Sequence, residues 1–252
     1  MLRAYLETDL AVGAVIALPE RESHHLARVL RAEPGSAIEV LNGRGDVAQT
    51  EVLTVSRKGD MSIRVLSTSH RPELPCRLTL MQAIPKCKNM EWILEKATEL
   101  GAYRIVPLMT ERTVVHLDQA DAAGKMERWK ATAVDAIKQC GSPWLPRLEA
   151  PVSFALALRN AAKTDLAVFG SFEPDAKPAR AWCSQSSDHL GRFPRDVTVW
   201  IGPEGDFSPA EILALREAGV LPMTMGPLVL RVETAAIYAL SVLGAEALNA
   251  PR

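Results

Sequence analysis

The sequence predicts an α/β chain in two parts. The first is a small β-rich module of the barrel kind over residues 1–70; the second is an α/β domain with a largely parallel sheet over residues 76–252. Three observations carry this. The opening stretch reads as short strand-like runs separated by turn signals. From Arg77 onward, apolar runs alternate with helical patterns of about 10–15 residues, the rhythm of βαβ units. Between them residues 67–75 (STSHRPELP) hold two prolines among polar residues and read as a linker. Size and composition agree. At ~150 residues per domain, 252 residues make one to two domains, and 48% hydrophobic with 23% charged residues excludes disordered, collagen-like and coiled-coil chains.

Taken in order, residues 11–19 (AVGAVIALP) alternate loosely and predict a strand. Their apolar run is a poor signal-peptide core, because Glu7 and Asp9 precede it. Residues 22–31 (ESHHLARVLR) predict a short helix with Ser23 as N-cap. Residues 37–55 form two strand-like runs around Asn42-Gly43, a hairpin signal, and residues 61–68 form another strand. In the second part residues 78–84, 104–110, 146–151, 165–170, 197–202 and 220–226 predict strands. Helices fall at 89–101, 123–141, 153–163, 208–219 and 232–248. The helix at 89–101 places Trp92, Ile93, Lys96, Ala97 and Leu100 on one stripe and ends at Gly101. Residues 174–195 are polar and read as a surface loop.

Lys+Arg number 29 and Asp+Glu 30, a net charge of −1. Such a balance excludes nonspecific coating of a polyanion, so any nucleic-acid contact rests on a local patch. Cys76, Cys87, Cys140 and Cys183 lie far apart with no C-x-x-C pair. They predict reduced thiols in a cytoplasmic protein rather than a disulfide scaffold or zinc site. No apolar stretch reaches ~18 residues, so no membrane span is expected.

Three motifs carry chemistry. In residues 200–211 an apolar strand enters a Gly-Pro-Glu-Gly loop and then a marked helix start. Ser208 and Glu211 form a capping box with Pro209 at the first helical position. Ligands of open α/β sheets bind beyond the carboxyl ends of strands, and Gly202 and Gly205 permit close backbone approach there. In residues 224–235 a second strand enters a Gly-Pro loop. Leu228, Val229 and Leu230 follow, as either a buried crossover or an apolar pocket wall. Glu233 near a helix start suits the helix dipole, whereas Arg231 gains nothing from it and is better placed for recognition. Finally, Arg21, His24, His25, Arg28 and Arg31 crowd one short helix, as either a solvated face or a positive patch. His70, His116 and His189 are scattered and complete no ligand set, so no metal is expected. Nucleotide-fold, P-loop, hydrolase and zinc-protease signatures are missing.

These residues resemble the bacterial ribosomal RNA small subunit methyltransferase E family over essentially the whole chain. The likeness rests on five segments in family order: HHLARVLRAEPGSAIEVLNGRG, KNMEWILEKATELGAYRIVPLMTERTVV with its Glu111-Arg112 pair, IKQCGSPWLP, IGPEGDFS and MGPLVLRVETAA. It implies a PUA-like RNA-binding β-barrel followed by a SPOUT-class α/β domain with a trefoil knot, binding S-adenosylmethionine. The implied reaction is methylation of N3 of a uridine in 16S ribosomal RNA by a homodimer, with ribosomal RNA or the assembled small subunit as partner. Other RNA targets such as tRNA, or a non-enzymatic assembly role, are the alternatives. By the resemblance, Phe169, Gly170, Ile201, Gly202, Pro203, Glu204, Gly205, Met225, Gly226, Leu228 and Leu230 hold the cofactor. The chemistry of that reaction makes Arg231 the candidate to stabilise the uridine anion and Glu204 or Glu233 the candidate to take the proton, and the basic residues Arg21, His25, Arg28, Arg31 and Arg44 are the RNA-contact candidates. The chain departs from the family pattern at Asp206, where a second glycine is frequent, and at Leu228 and Ser142, where arginine is common.

Overall fold

The computed structural model describes residues 1–86, 89–114, 119–160 and 164–250. Cys87 and His116 lie outside the described residues. Two compact units result: Met1–Glu73 with Val134–Leu145, and Leu74–Ala133 with Pro146–Arg252.

The first unit holds β1 (Leu2–Tyr5), β2 (Val15–Ala17), β3 (Ala37–Leu41), β4 (Asp46–Val55) and β5 (Met61–His70) in one mixed sheet, ordered β1-β3-β4-β5-β2. Its core gathers Leu26, Ile38, Val40, Ile63 and their neighbours. The turn between β3 and β4 closes on the Asn42 carboxamide oxygen, which accepts the amides of Arg44 and Asp46 at 2.8 and 3.0 Å. Two expectations are corrected here. Helix α1 (Glu20–His24) starts one turn early, with Pro19 rather than Ser23 as N-cap. Ser23 is buried and donates to the Leu18 carbonyl at 3.1 Å. A π-helical turn, His25–Val29, follows. Residues 67–70 are not linker either: they pair with Asp46–Gln49 and extend β5 to His70.

The second unit is built on β6 (Arg77–Ala83), α2 (Asn89–Glu99), β7 (Arg104–Met109), α3 (Gln119–Cys140), β8 (Arg147–Leu148), β9 (Val152–Ser153), α4 (Phe154–Asn160), β10 (Leu166–Gly170), α5 (Ala179–Leu190), β11 (Asp196–Ile201), α6 (Pro209–Glu217), β12 (Leu221–Met223) and α7 (Val232–Leu248). From Val134 onward α3 belongs to the first unit. The sheet is parallel, ordered β12-β10-β11-β6-β7-β8, with β9 also on β7. Alternation along β10 and β11 divides the core. Leu166, Val168, Val197, Val199 and Ile201 pack with α2, α5 and α7. Phe169 and Trp200 pack with Phe154, Phe207 and Leu215 of the α4 and α6 side.

Helix α5 replaces the loop expected at 174–195. Ala179, Trp182 and Cys183 recur at helical spacing and are buried, while Gly191 ends the helix in a left-handed conformation. Most of the remaining positions are polar and at least partly exposed, and that composition hides the period. On α2 the buried residues are Met90, Ile93, Leu94, Ala97 and Thr98; Trp92, assigned to the apolar stripe, is 45% exposed. Among the described residues no helix is long and apolar enough to cross a membrane.

The capping box forms as expected: Ser208 Oγ accepts the Glu211 amide at 3.3 Å, and Glu211 Oε2 accepts the Ser208 amide at 2.9 Å. Ser208→Ala should lower unfolding free energy by about 1–2 kcal/mol, because a buried helix end loses its acceptor. A urea titration reads the shift, and an unchanged midpoint would refute the cap's contribution.

Candidate active site

Strands β10, β11 and β12 are neighbours, so the loops leaving their carboxyl ends converge. The Ser171 amide donates to the Met223 carbonyl at 3.0 Å and ties the first loop to the third strand. These loops and the start of α7 line one pocket. Gly170, Ile201, Gly202, Pro203, Glu204, Met225, Leu228 and Leu230 from the expected set line it. Ser171 and Val229, which belong to the same loops, line it too, and Phe172, Asp206, Val232 and Ala235 join them without having been assigned to it. Phe169 does not: it is 1% exposed and packs into the opposite core, because neighbouring residues of a strand face opposite ways. Gly205 and Gly226 stand outside the lining.

Glycine is needed at specific points. A Cβ at Gly170 would meet Met225 Cε at 2.6 Å, so its absence lets the methionine lie over the strand end. Gly226 has φ +98°, a backbone that side chains resist. At Gly202 a Cβ would stand 3.1 Å from both Asp206 Oδ1 and the Phe207 amide nitrogen. Leu228 and Val229 are 72% and 86% exposed, which overturns the buried-crossover reading. They form the apolar rim of the pocket.

Polar groups converge from further strands. Glu204 Oε1 accepts the Lys86 amide at 2.8 Å, and Glu233 Oε2 accepts from Asn89 Nδ2 at 3.2 Å, so the β6–α2 connection steadies both carboxylates. Arg231 is the N-cap of α7 and is exposed, and its guanidinium has no partner among the described residues. Asp206 has φ 61°, a left-handed backbone that explains a glycine at this position in the family pattern. Aspartate tolerates it because Oδ1 accepts the Phe207 amide at 2.7 Å. Burial pushes the Asp206 carboxyl up from its ordinary range, against that hydrogen bond and the Arg112 charge. The turn after β7 also reaches in: Arg112 Nη1 donates to the Gly205 carbonyl at 2.6 Å and the Glu111 amide to Glu211 Oε1 at 2.9 Å. Sequence reading matched this Glu-Arg pair to a family without giving it a task, since β7 is not adjacent to β11.

The basic patch of the first unit is uneven. Arg21 pairs with Asp135 at 3.0 Å and Arg44 with Asp9 at 2.8 Å, so both charges are locally offset. Arg28 and Arg31 are exposed without carboxylate partners among the described residues, and His25 is half-buried. Arg28 Nη2 approaches the Arg57 carbonyl at 3.5 Å, which brings the exposed Arg57-Lys58 hairpin tip beside it. Sequence reading missed those two cations, because a turn joined to a helix by folding leaves no local signal. Ser142 donates to the Trp144 carbonyl and accepts its amide, shaping a turn where the family pattern has arginine. Cys76 and Cys183 are buried, and burial pushes their thiols up to about 12 and about 11. Among the described residues no group of three His, Cys, Asp or Glu side chains is placed to hold a metal.

Comparison with known proteins finds two domain families along the chain. The RNA methyltransferase domain family matches residues 72–244, and the RNA methyltransferase PUA domain family matches residues 18–59. The chain is 33% identical over 224 residues to the ribosomal RNA small subunit methyltransferase E of Bacillus subtilis, covering 88% of this chain and 86% of that one. A Legionella pneumophila methyltransferase solved with bound SAM superposes with a TM-score of 0.87 at 35% identity, covering 97% of each chain. A ribosomal RNA small subunit methyltransferase E from Neisseria gonorrhoeae, bound to S-adenosyl methionine, superposes with a TM-score of 0.85 at 26% identity, again over 97% of each. With two domain matches in the order of its two units and these relatives over nearly its full length, the chain belongs to the ribosomal RNA small subunit methyltransferase E family.

Proposed function

We propose that this chain transfers a methyl group from S-adenosylmethionine to N3 of a uridine in small-subunit ribosomal RNA, as a cytoplasmic homodimer. One observation carries the reading: the three-loop pocket suits that cofactor. Its walls are mostly apolar, with Ser171, Glu204 and Asp206 among them, and the backbone amides of Leu228, Val229 and Leu230 have no partner among the described residues. Apolar walls with exposed amides are what an adenine and a methionine chain require. When bound, the cofactor supplies an electrophilic methyl group on a sulfonium.

The chain's own residues answer the remaining needs. Uridine N3 carries a proton that must leave before its lone pair can attack. Glu204 or Glu233 is the candidate to take it: each is held by one oxygen with the other unengaged among the described residues, and Glu204 lines the pocket. Arg231, exposed and without a partner among the described residues, is the candidate to stabilise the resulting anion. The α7 helix leaves the edge strand β12 and returns to pack on β6 and β11. The knotted crossover is implied by the family resemblance. Trp92 and Tyr238, exposed on the adjoining α2 and α7, are the apolar surface a homodimer would cover.

Incubation with labelled methyl donor and either 16S RNA or small subunits lacking the modification, followed by mass analysis of nucleosides, tests the reaction. The expected product is 3-methyluridine, and any other methylated nucleoside overturns the assignment. RNA binding has its own test. Arg28→Ala combined with Arg31→Ala should weaken RNA affinity by about tenfold and flatten the log–log salt slope by about 1.5. Cofactor affinity should not move. RNA affinity equal to wild type would remove these arginines from the interface.

A further inference from the structure

We propose that Arg112 is a positioning residue of the transfer site, holding the loop over residues 202–206 in its working shape through the Gly205 carbonyl. The proposal rests on the functional reading above and adds to it a residue from outside the three pocket loops.

Three features point to this role. Arg112 Nη1 is 2.6 Å from the Gly205 oxygen, a short charge-assisted bond to the residue that follows Glu204. The bond comes from a fixed base: Thr110 and Thr113 close the turn after β7 through a 2.8 Å hydroxyl pair, and the Thr110 amide donates to Thr113 Oγ1 at 3.0 Å. The same turn grips the far end of the loop, because the Glu111 amide donates to Glu211 Oε1 while Glu211 Oε2 caps Ser208. The loop is thus bracketed at Gly205 and at Glu211, and Lys86 holds Glu204 between β11 and the bracket. Within it, Asp206 keeps a left-handed backbone at φ 61°, a conformation that neighbouring contacts must sustain. A loop whose Glu204 must stand within hydrogen-bond reach of a substrate proton gains from such bracing, since a misplacement of about 1 Å costs about 100-fold in rate.

The test uses the full-length chain with Arg112→Ala and Arg112→Lys. Hydrogen–deuterium exchange over residues 202–207 should quicken in Arg112→Ala by about tenfold. S-adenosylmethionine Kd by calorimetry should rise several-fold, and kcat should fall by about 30–100-fold, with the RNA KM within about twofold. Arg112→Lys keeps one donor of similar reach and should restore kcat to within about fivefold of wild type. Arg112 is exposed, so thermal unfolding should stay near wild type. Wild-type exchange in Arg112→Ala overturns the proposal, whatever the kinetics. A defect confined to the RNA KM also overturns it and assigns Arg112 to direct RNA contact. If the wild-type chain transfers no methyl group, the functional reading fails, while the exchange result still decides whether Arg112 holds the loop.

Discussion

Gly202→Val is expected to abolish cofactor binding, raising the S-adenosylmethionine Kd at least ~100-fold, about 2.7 kcal/mol. The reason is local space rather than backbone sign. Gly202 has no positive φ, but a Cβ there stands 3.1 Å from Asp206 Oδ1 and from the Phe207 amide nitrogen. Those two atoms bond each other at 2.7 Å and hold the left-handed Asp206. Valine's branches would force them apart, and the pocket wall formed by Ile201, Pro203 and Glu204 would move with them. Gly205→Ala is the internal comparison. Its Cβ meets Arg112 Cδ at 3.4 Å, an ordinary contact, and should change Kd by less than about threefold. Calorimetry on both variants, with circular dichroism as a fold control, separates a site effect from unfolding. Wild-type affinity in a folded Gly202→Val protein would exclude the Gly-Pro-Glu-Gly loop from the cofactor site.

Arg231→Ala should lower kcat by about 100–1,000-fold while leaving cofactor Kd within about twofold. Arg231 is exposed at the N-terminus of α7, and its side chain makes no hydrogen bond or ion pair among the described residues. Removing it should therefore change stability by less than about 0.5 kcal/mol. A cation gains nothing from the positive end of a helix, where the first-turn Glu233 is the favoured charge, so Arg231 is free to meet an incoming anion. In the proposed reaction the deprotonated uridine would be that anion. Without the arginine, its N3 proton leaves less readily, so the variant's pH–rate profile should shift to higher pH. Single-turnover methyl transfer across a pH series reads both effects. A wild-type profile at full rate would remove Arg231 from the chemistry.

Legibility in the sequence followed physical locality. The capping box at Ser208–Glu211 was readable because both partners lie within one helical turn. The parallel sheet was readable because each strand carries its own apolar run. Helix α5 was missed because only Ala179, Trp182 and Cys183 face inward, too few to stand out from polar neighbours. Phe169 was misplaced because its strand neighbour Gly170 reaches the pocket, and strand alternation turns the phenyl ring to the other face. Arg21 and Arg44 looked like free cations, yet folding sets Asp135 and Asp9 against them.

By itself the sequence determined the two-part α/β plan, the two Gly-Pro loops and their helix starts, and the family to which they belong. These depend on periodicity, caps and glycines, interactions a few residues long. Tertiary structure alone decided that β10, β11 and β12 stand side by side, so that three distant loops make one pocket. It alone set Lys86 on Glu204, Asn89 on Glu233 and Arg112 on Gly205, across 118, 144 and 93 residues of chain. Such contacts leave no local trace. They arise from strand order, which is settled by burying both faces of the sheet at once rather than by any segment's own preference.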